Sequence, residues 1–123
     1  HMRFLVVDDS ATMRRIVVNS LQRVGFSDVV EASDGAEALE KIATVDFVIT
    51  DWNMPKVSGA ELTRAIRSCD ETKSMPLIMV TARSVRDDIL TAMEAGVDSY
   101  VVKPFTPQVL REKIDAVLAT RAA

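Results

Sequence analysis

Five short apolar runs, rich in Val and Ile, alternate with helix-like segments along this 123-residue chain. The runs are mostly continuous rather than interleaved with polar residues, as is typical of parallel strands that helices cover on both faces. This alternation predicts an α/β fold, a doubly wound parallel sheet of five βα units with right-handed crossovers. The predicted strands are residues 3–7, 29–32, 47–50, 77–81 and 99–102.

The segments between the strands carry signals of helix ends. A capping side chain followed three residues later by an acid predicts a helix start, as does threonine followed by proline. A glycine just past a helix takes up the left-handed conformation. The predicted starts are Asp34-x-x-Glu37, Ser58-x-x-Glu61, Ser84-x-x-Asp87 and Thr106-Pro107, and the predicted glycines past helix ends are Gly25 and Gly96. Each helix also has an apolar stripe at helical spacing, which in the first helix consists of Met13, Ile16, Val17 and Leu21.

Composition narrows the class of protein. With 48% hydrophobic and 27% charged residues, the chain is an ordinary globular domain, which we place at residues 2–123, with His1 as a cloning remnant. A net charge of -3 argues against nucleic acid as a partner, and a single cysteine, Cys69, excludes a disulfide within the chain. No apolar run approaches the roughly 20 residues that a membrane helix needs. We expect a cytoplasmic monomer without membrane contact.

Polar side chains follow four of the predicted strands where each strand ends. Asp8 and Asp9 follow the first strand and Asp51 the third, while Thr81 ends the fourth and Lys103 follows the fifth. Because the carboxyl ends of parallel strands share one edge of the sheet, where ligands bind, we expect all five groups to converge. Each aspartate alone is more often a cap than a ligand, but five such groups at strand ends favour a functional site.

The predicted cluster of three carboxylates needs a cation. Two unit charges about 4 Å apart repel by roughly 4 kcal/mol at an effective dielectric constant near 20. Oxygen ligands without histidine or cysteine favour Mg²⁺. Carboxylates, Mg²⁺, an ammonium and a hydroxyl together fit phosphoryl transfer, in which a carboxylate can be the nucleophile.

Four motifs resemble the receiver domains of two-component response regulators, and within that family the single-domain chemotaxis type. The resemblance extends from Arg3 onward and implies a flavodoxin-like sheet in strand order 2-1-3-4-5. The motifs are Val6-Val7-Asp8-Asp9-Ser10, Asp51-Trp52-Asn53-Met54-Pro55-x-x-x-Gly59, Val80-Thr81-Ala82 and Tyr100-Val101-Val102-Lys103-Pro104-Phe105.

The resemblance also implies roles for the acidic residues. Asp51 would accept the phosphoryl group. Asp9 and Asp51 would bind Mg²⁺ directly with the backbone carbonyl of Asn53, and Asp8 would act mainly through water. Trp52, next to the acceptor, is predicted to lie partly exposed over the pocket.

Further roles concern the other strand ends. Thr81 and Lys103 would contact phosphoryl oxygens, and Thr81 with Tyr100 would form the switch. The Lys103–Pro104 peptide bond would be cis. Arg83 departs from the family pattern, because the enteric chemotaxis member has an acid there; this position and Asn53 would set the lifetime of the phosphate. A solvated surface residue is the alternative interpretation of Arg83.

The implied partners are a CheA-like sensor histidine kinase, a target such as a flagellar motor switch protein, and a phosphatase. The protein would then be a signalling receiver that catalyses only its own phosphorylation and dephosphorylation. One alternative is a receiver cut from a larger regulator, or one that serves a phosphorelay. A more distant alternative is a Mg²⁺-dependent phosphatase of the haloacid dehalogenase type, although that family has Asp-x-Asp where this chain has Asp51-x-Asn53.

Overall fold

Five parallel strands form one sheet in the order β2-β1-β3-β4-β5, in a computed structural model that describes residues 1–82 and 86–122. The predicted fold class and strand order are confirmed. The strands are β1 Phe4–Val7, β2 Val29–Ala32, β3 Phe47–Asp51, β4 Leu77–Thr81 and β5 Ser99–Val102. The helices are α1 Ala11–Arg23, α2 Gly35–Lys41, α3 Gly59–Arg67, α4 Arg86–Ala95 and α5 Pro107–Ala122, with a 3₁₀ turn at Ile42–Thr44.

Helices cover both faces of the sheet, so successive strand residues are buried in opposite directions. One core, here called the α2–α4 core, contains Leu5, Val48 and Met79 together with side chains of the three helices after which it is named. The other contains Phe4, Ile49 and side chains of α1 and α5. Burial on both faces explains why the strands have continuous apolar sequences.

Most predicted helix ends are confirmed. The side chains of Asp34, Ser58 and Thr106 each accept a hydrogen bond from a backbone N–H three residues on. Gly25 and Gly96 have positive φ angles of 99° and 112°. The capping box at residues 84–87 begins outside the described residues.

The predicted stripe of α1 is partly wrong. Val17 and Leu21 are buried as predicted, but Ile16 is 44% exposed and Val18 is buried in its place. Ile16, Val17 and Val18 are consecutive β-branched residues, each rotated about 100° from the last around the helix axis. An apolar stripe can therefore include either Ile16 or Val18 beside Val17, and the helix turns the stripe with Val18 towards the sheet. Within the described part of the chain, no helix is long and apolar enough to cross a membrane.

Candidate active site at the carboxyl edge of the sheet

Three carboxylates meet where β1 and β3 end. Asp8 and Asp9 follow β1, and Asp51 is the last residue of β3. One carboxylate oxygen from each lies within 4.8 Å of the other two. Asp8 and Asp51 are buried, at 3% and 9% exposure, whereas Asp9 is exposed. The strand register therefore brings the three acids together as the sequence pattern predicts.

Lys103 supplies positive charge to this cluster. Its Nζ lies 3.4 Å from Asp51 Oδ1 and 3.9 Å from Asp8 Oδ2, and its side chain is 20% exposed. The backbone N–H of Lys103 donates to the carbonyl oxygen of Thr81 at 2.8 Å, which anchors the lysine next to the end of β4. The following Lys103–Pro104 peptide bond is cis, as the resemblance implied.

Burial and repulsion make the negative charges costly. Burial raises the pKa of the Asp51 carboxyl above its ordinary value, although the Lys103 ammonium opposes that shift. Burial is also the main reason that the pKa of Asp8 is raised; the Ser10 N–H opposes the shift and the charge of Asp51 adds to it. The cluster holds three carboxylates against one ammonium, so the described site is short of positive charge.

Backbone groups fix the two buried carboxylates. The N–H of Trp52 donates to Asp51 Oδ1, and the N–H of Ser10 donates to Asp8 Oδ1, both at 2.9 Å. Ser10 is also the N-cap of α1 and accepts a hydrogen bond from Met13 N–H through its side chain. The start of α1 is thus joined directly to the acid cluster.

Gly59 allows α3 to begin against the end of β3. A Cβ atom at this position would lie 2.6 Å from the carbonyl oxygen of Asp51 and 2.8 Å from the Cα of Trp52. The N–H of Gly59 donates to the Trp52 carbonyl at 3.0 Å, which closes the loop after β3. Only glycine fits this approach without a shift of the backbone.

The predicted exposure of Trp52 is wrong. Its side chain is 8% exposed and packs into the α2–α4 core. The ring lies beside Gly59, where Trp52 Cε3 would be 2.9 Å from an added Cβ. The prediction rested on Trp52 being next to Asp51 in sequence, which does not determine where the indole points. The close approach of α3 at Gly59 determines it.

The remaining predicted residues lie at different depths. Thr81 is buried at the end of β4. Tyr100 is half-buried two residues before the end of β5, where it packs against the α2–α4 core with Lys113 Nζ 5.4 Å from its ring centroid. Asn53 is exposed, and Arg83 lies outside the described residues.

Sequence reasoning missed Arg14. Its guanidinium Nη1 donates to the backbone carbonyl of Asp8 at 2.7 Å, and Nε donates to Glu31 at 3.1 Å. The pairing of β1 with β2, which places Glu31 opposite Val6, makes this contact possible. To predict this contact from the sequence, one would need the register of β1 against β2 as well as the position of Arg14 on α1.

The donor set fits a hard divalent cation. Carboxylate oxygens are the preferred ligands of such ions, and burial raises the pKa of Asp8 and Asp51, so a bound cation would offset the cost of their negative charge. The cluster of Asp8, Asp9 and Asp51 could therefore hold a metal ion. A buried carboxylate beside an ammonium and a cation is equipped for nucleophilic attack on phosphorus.

Comparison with known proteins agrees with this description. A family model for the response regulator receiver domain matches residues 4–115. The chain is 51% identical to the chemotaxis protein CheY1 of Helicobacter pylori over 122 residues, which are 97% of this chain and 98% of that protein. It is 50% identical to the chemotaxis protein CheY of Pseudomonas aeruginosa, over 94% of this chain and 95% of that protein.

A solved structure gives the same result for the fold. The chemotaxis protein CheY4 of Vibrio cholerae superposes with a TM-score of 0.86 at 35% identity, over 94% of this chain and 98% of that one.

Proposed function

The chain belongs to the family of response regulator receiver domains and is closely related to CheY chemotaxis proteins; from that premise we propose that it is a switch controlled by phosphorylation of Asp51. The observation that carries this proposal is the position of the Asp51 carboxylate, buried between two other acids and 3.4 Å from Lys103 Nζ. Residues 2–123 would act as one receiver domain.

Asp8, Asp9 and Asp51, with the backbone carbonyl of Asn53, would hold Mg²⁺. When bound, the ion would neutralise charge that develops on the transferred phosphoryl oxygens. The oxygen-only donor set and the shortage of positive charge in the cluster support this assignment. Asn53, together with Arg83, would influence how long the phosphate persists.

The chain's own residues would divide the remaining work. A carboxylate oxygen of Asp51 forms the bond to phosphorus, while the P–N bond of the donor phosphohistidine breaks and its electron pair leaves on the imidazole nitrogen. Lys103 pairs with one phosphoryl oxygen, and the Thr81 hydroxyl donates to another. The protein would catalyse only its own phosphorylation and, with water as the attacking group, its own dephosphorylation.

Thr81 and Tyr100 would carry the signal away from the phosphate. Thr81 pairs with Val102, and Tyr100 lies two residues earlier on β5, so both side chains are on the sheet face that α4 covers. Movement of Thr81 towards the phosphate would free space for the Tyr100 ring. The change would then reach the surface formed by α4, β5 and α5.

The partners follow from the same relationship. A CheA-like sensor histidine kinase would supply the phosphoryl group, a flagellar motor switch protein would bind the phosphorylated form, and a phosphatase would end the signal. The high identity to chemotaxis proteins favours this pathway over a phosphorelay. The protein would work as a monomer in the cytoplasm.

Acetyl phosphate with Mg²⁺ tests the acceptor. We expect intact mass spectrometry to show one added phosphoryl group that base removes, because acyl phosphates are labile. Asp51→Asn should abolish labelling, while Asp115→Asn, which changes an exposed acid on α5, should leave it unchanged. Undiminished labelling of Asp51→Asn would refute the assignment.

Beryllofluoride with Mg²⁺, an analogue of the phosphoryl group, tests the switch. NMR chemical shifts should change at Tyr100 and along α4 as well as in the loops around Asp9, Asp51 and Thr81. Changes confined to those loops would disprove the route through Tyr100 and leave the acceptor proposal intact. The matched control is Asp51→Asn, for which we expect the reagent to cause no change at Tyr100.

A further inference from the structure

The direction of the Asp9 carboxylate depends on a short piece of backbone. Asp9 is exposed and lies between the end of β1 at Val7 and the start of α1 at Ala11. Asp8, by contrast, is buried, and its carboxylate accepts a hydrogen bond from the Ser10 N–H. The peptide that joins Asp8 to Asp9 therefore decides where the exposed ligand points.

Arg14 holds that peptide. Its Nη1 donates to the Asp8 carbonyl oxygen at 2.7 Å, and this carbonyl belongs to the Asp8–Asp9 peptide. The backbone N–H of Arg14 also donates to the carbonyl of the N-cap Ser10 at 2.9 Å. The first turn of α1 thus reaches back and fixes the loop from which it emerges.

Glu31 in turn holds the guanidinium. Arg14 Nε donates to Glu31 Oε1 at 3.1 Å, and the arginine side chain is only 19% exposed. Glu31 is fixed on β2, where its carbonyl oxygen accepts from Lys41 Nζ at 2.7 Å. A guanidinium can make both contacts at once because its N–H donors are held in a rigid plane, whereas a lysine ammonium is a single point charge.

The charge of Arg14 is already paired with Glu31, so its effect on the acid cluster is chiefly geometric. Arg15 offers a matched comparison, because it follows directly in α1 and lies 3.9 Å from the same Glu31 carboxylate. Its side chain is 62% exposed. Replacing either arginine by a neutral residue changes the net charge by the same amount. Among the described hydrogen bonds, however, the one to the Asp8 carbonyl comes from Arg14 and not from Arg15.

Building on the function proposed above, we propose that Arg14, held by Glu31, is a positioning residue that orients the Asp8–Asp9 peptide for binding of Mg²⁺. The arginine touches neither the ion nor the phosphoryl group. It acts on the ligands through their backbone, as partners outside the ligand shell do in metal sites generally.

Titration of the purified protein with Mg²⁺ tests this role. The fluorescence of Trp52, the single tryptophan, reports binding indirectly: its backbone N–H donates to Asp51 Oδ1, so a bound ion that moves the carboxylate would also shift the residue that carries the indole. Arg14→Gln should weaken Mg²⁺ binding about tenfold, the lower end of what loss of such an outer partner costs. Arg15→Gln should change it less than about twofold, since a surface charge alone has a small effect. Equal weakening in both variants, or none in Arg14→Gln, would overturn the proposal.

A metal-free readout separates positioning from general stability. In chelator, amide exchange should rise at Ser10 in Arg14→Gln while the amides of β1 keep their protection, and Arg15→Gln should match the wild type. Arg14→Lys, a milder change, should lose Mg²⁺ affinity at an unchanged melting temperature. A lower melting temperature with unchanged affinity would show a merely structural residue and refute the inference.

Asp9→Ala distinguishes failure of this inference from failure of the function on which it rests. If the wild type binds Mg²⁺, Asp9→Ala does not and Arg14→Gln binds like the wild type, only the role of Arg14 is wrong. If calorimetric titration of the wild type shows no binding of Mg²⁺ either, the proposed metal site is wrong, and this inference falls with it.

Discussion

The two edges of the sheet both hold clustered charge, but they balance it differently. At the amino edge, Asp98 lies between two guanidinium groups. Its carboxylate accepts from Arg67 at 3.1 Å and from the backbone N–H of Leu77 at 2.9 Å, and it receives a bidentate contact from Arg121. Arg67 donates further to the carbonyl oxygens of Gly96 and Met75. Each of these three charged side chains therefore has an oppositely charged group beside it, and Arg67 and Asp98 also have backbone partners.

At the carboxyl edge the balance is reversed. Three carboxylates share one ammonium, that of Lys103, and the pKa values of Asp8 and Asp51 are raised. Clustered charge is therefore common to both edges. At the amino edge two guanidinium groups share one carboxylate, and Arg67 also donates to backbone carbonyl oxygens. At the carboxyl edge the excess charge is negative, and two of the acids are buried. Burial also lowers the pKa of Arg67 at the amino edge, so a shifted pKa occurs at both edges. The carboxyl edge differs in that its acids outnumber their one positive partner, Lys103. The amino edge maintains the fold, whereas the three acids at the carboxyl edge could hold a metal ion.

Removal of Asp98 should have the largest effect on stability. Asp98→Ala leaves the Arg67 guanidinium, 17% exposed, without its carboxylate and the Leu77 N–H without its acceptor. We expect a loss of about 2 kcal/mol in the free energy of unfolding, less than the roughly 3–5 kcal/mol for a fully buried pair, because Asp98 and Arg67 are only half-buried. Urea denaturation in the presence of Mg²⁺ measures it.

The matched control for that prediction is Asp115→Ala. Asp115 pairs with Arg111 at 3.0 Å on α5, but both side chains are well exposed. Surface pairs contribute little, so we expect a loss below about 0.5 kcal/mol. Similar losses in the two variants would break the contrast between balanced and unbalanced edges.

Neutralisation at the carboxyl edge should act in the opposite direction. Asp51→Asn removes one of three mutually repelling charges and keeps an oxygen that can accept from Trp52 N–H. In chelator at pH 7 we expect a gain of about 1 kcal/mol, because the amide avoids the cost of burying a carboxylate, and loss of the Lys103 attraction offsets only part of that gain. Thermal unfolding should show it as a shift of about 4 °C for a domain of this size. Destabilisation in chelator would mean that Asp51 is a structural residue.

Two conditions should reduce this smaller effect further. The pKa of Asp51 in the folded state is raised above its ordinary value of 3.8, so folding favours the protonated carboxyl. The ionised carboxylate therefore lowers the free energy of unfolding at pH 7. Below pH 3.8 the group is protonated in both states, and this cost disappears. The gain of Asp51→Asn should therefore vanish as the pH falls from 7 towards 4. Added Mg²⁺ should also reduce it, because the ion stabilises only the intact site. A gain that stays constant across this pH range would contradict the assigned cause.

The sequence predicted the sheet and the location of the site well, because both depend on local patterns. Each predicted strand agrees with the observed one to within a residue, since the apolar runs are short and bounded by polar residues. Once the strands are parallel, Asp8, Asp51 and Lys103 must share an edge. No detailed geometry was needed for that step.

Side-chain direction was predicted less well. The exposure of Ile16 and the burial of Trp52 depend on how α1 and α3 are rotated against the sheet, which residue spacing leaves open. The network around Asp98 joins residues 23 and 31 positions apart, and the Arg14 contact requires the register of β1 with β2. Such contacts follow from tertiary packing and leave no local signature.

Gly59 sets a boundary for anyone who redesigns this domain. The loop after β3 is closed at both ends, by the Asp51 carbonyl against the glycine and by the hydrogen bond from Gly59 to Trp52. Exposed Asn53 inside the loop can be varied without moving its frame, whereas Lys56, also exposed, has a φ of 68° that a β-branched residue would not tolerate. A single methyl group at residue 59 would instead displace the strand that carries Asp51. The loop between Asp51 and Gly59 thus tolerates substitution at exposed positions but not a change in length. A mutant library should therefore vary the residues inside this loop and keep their number.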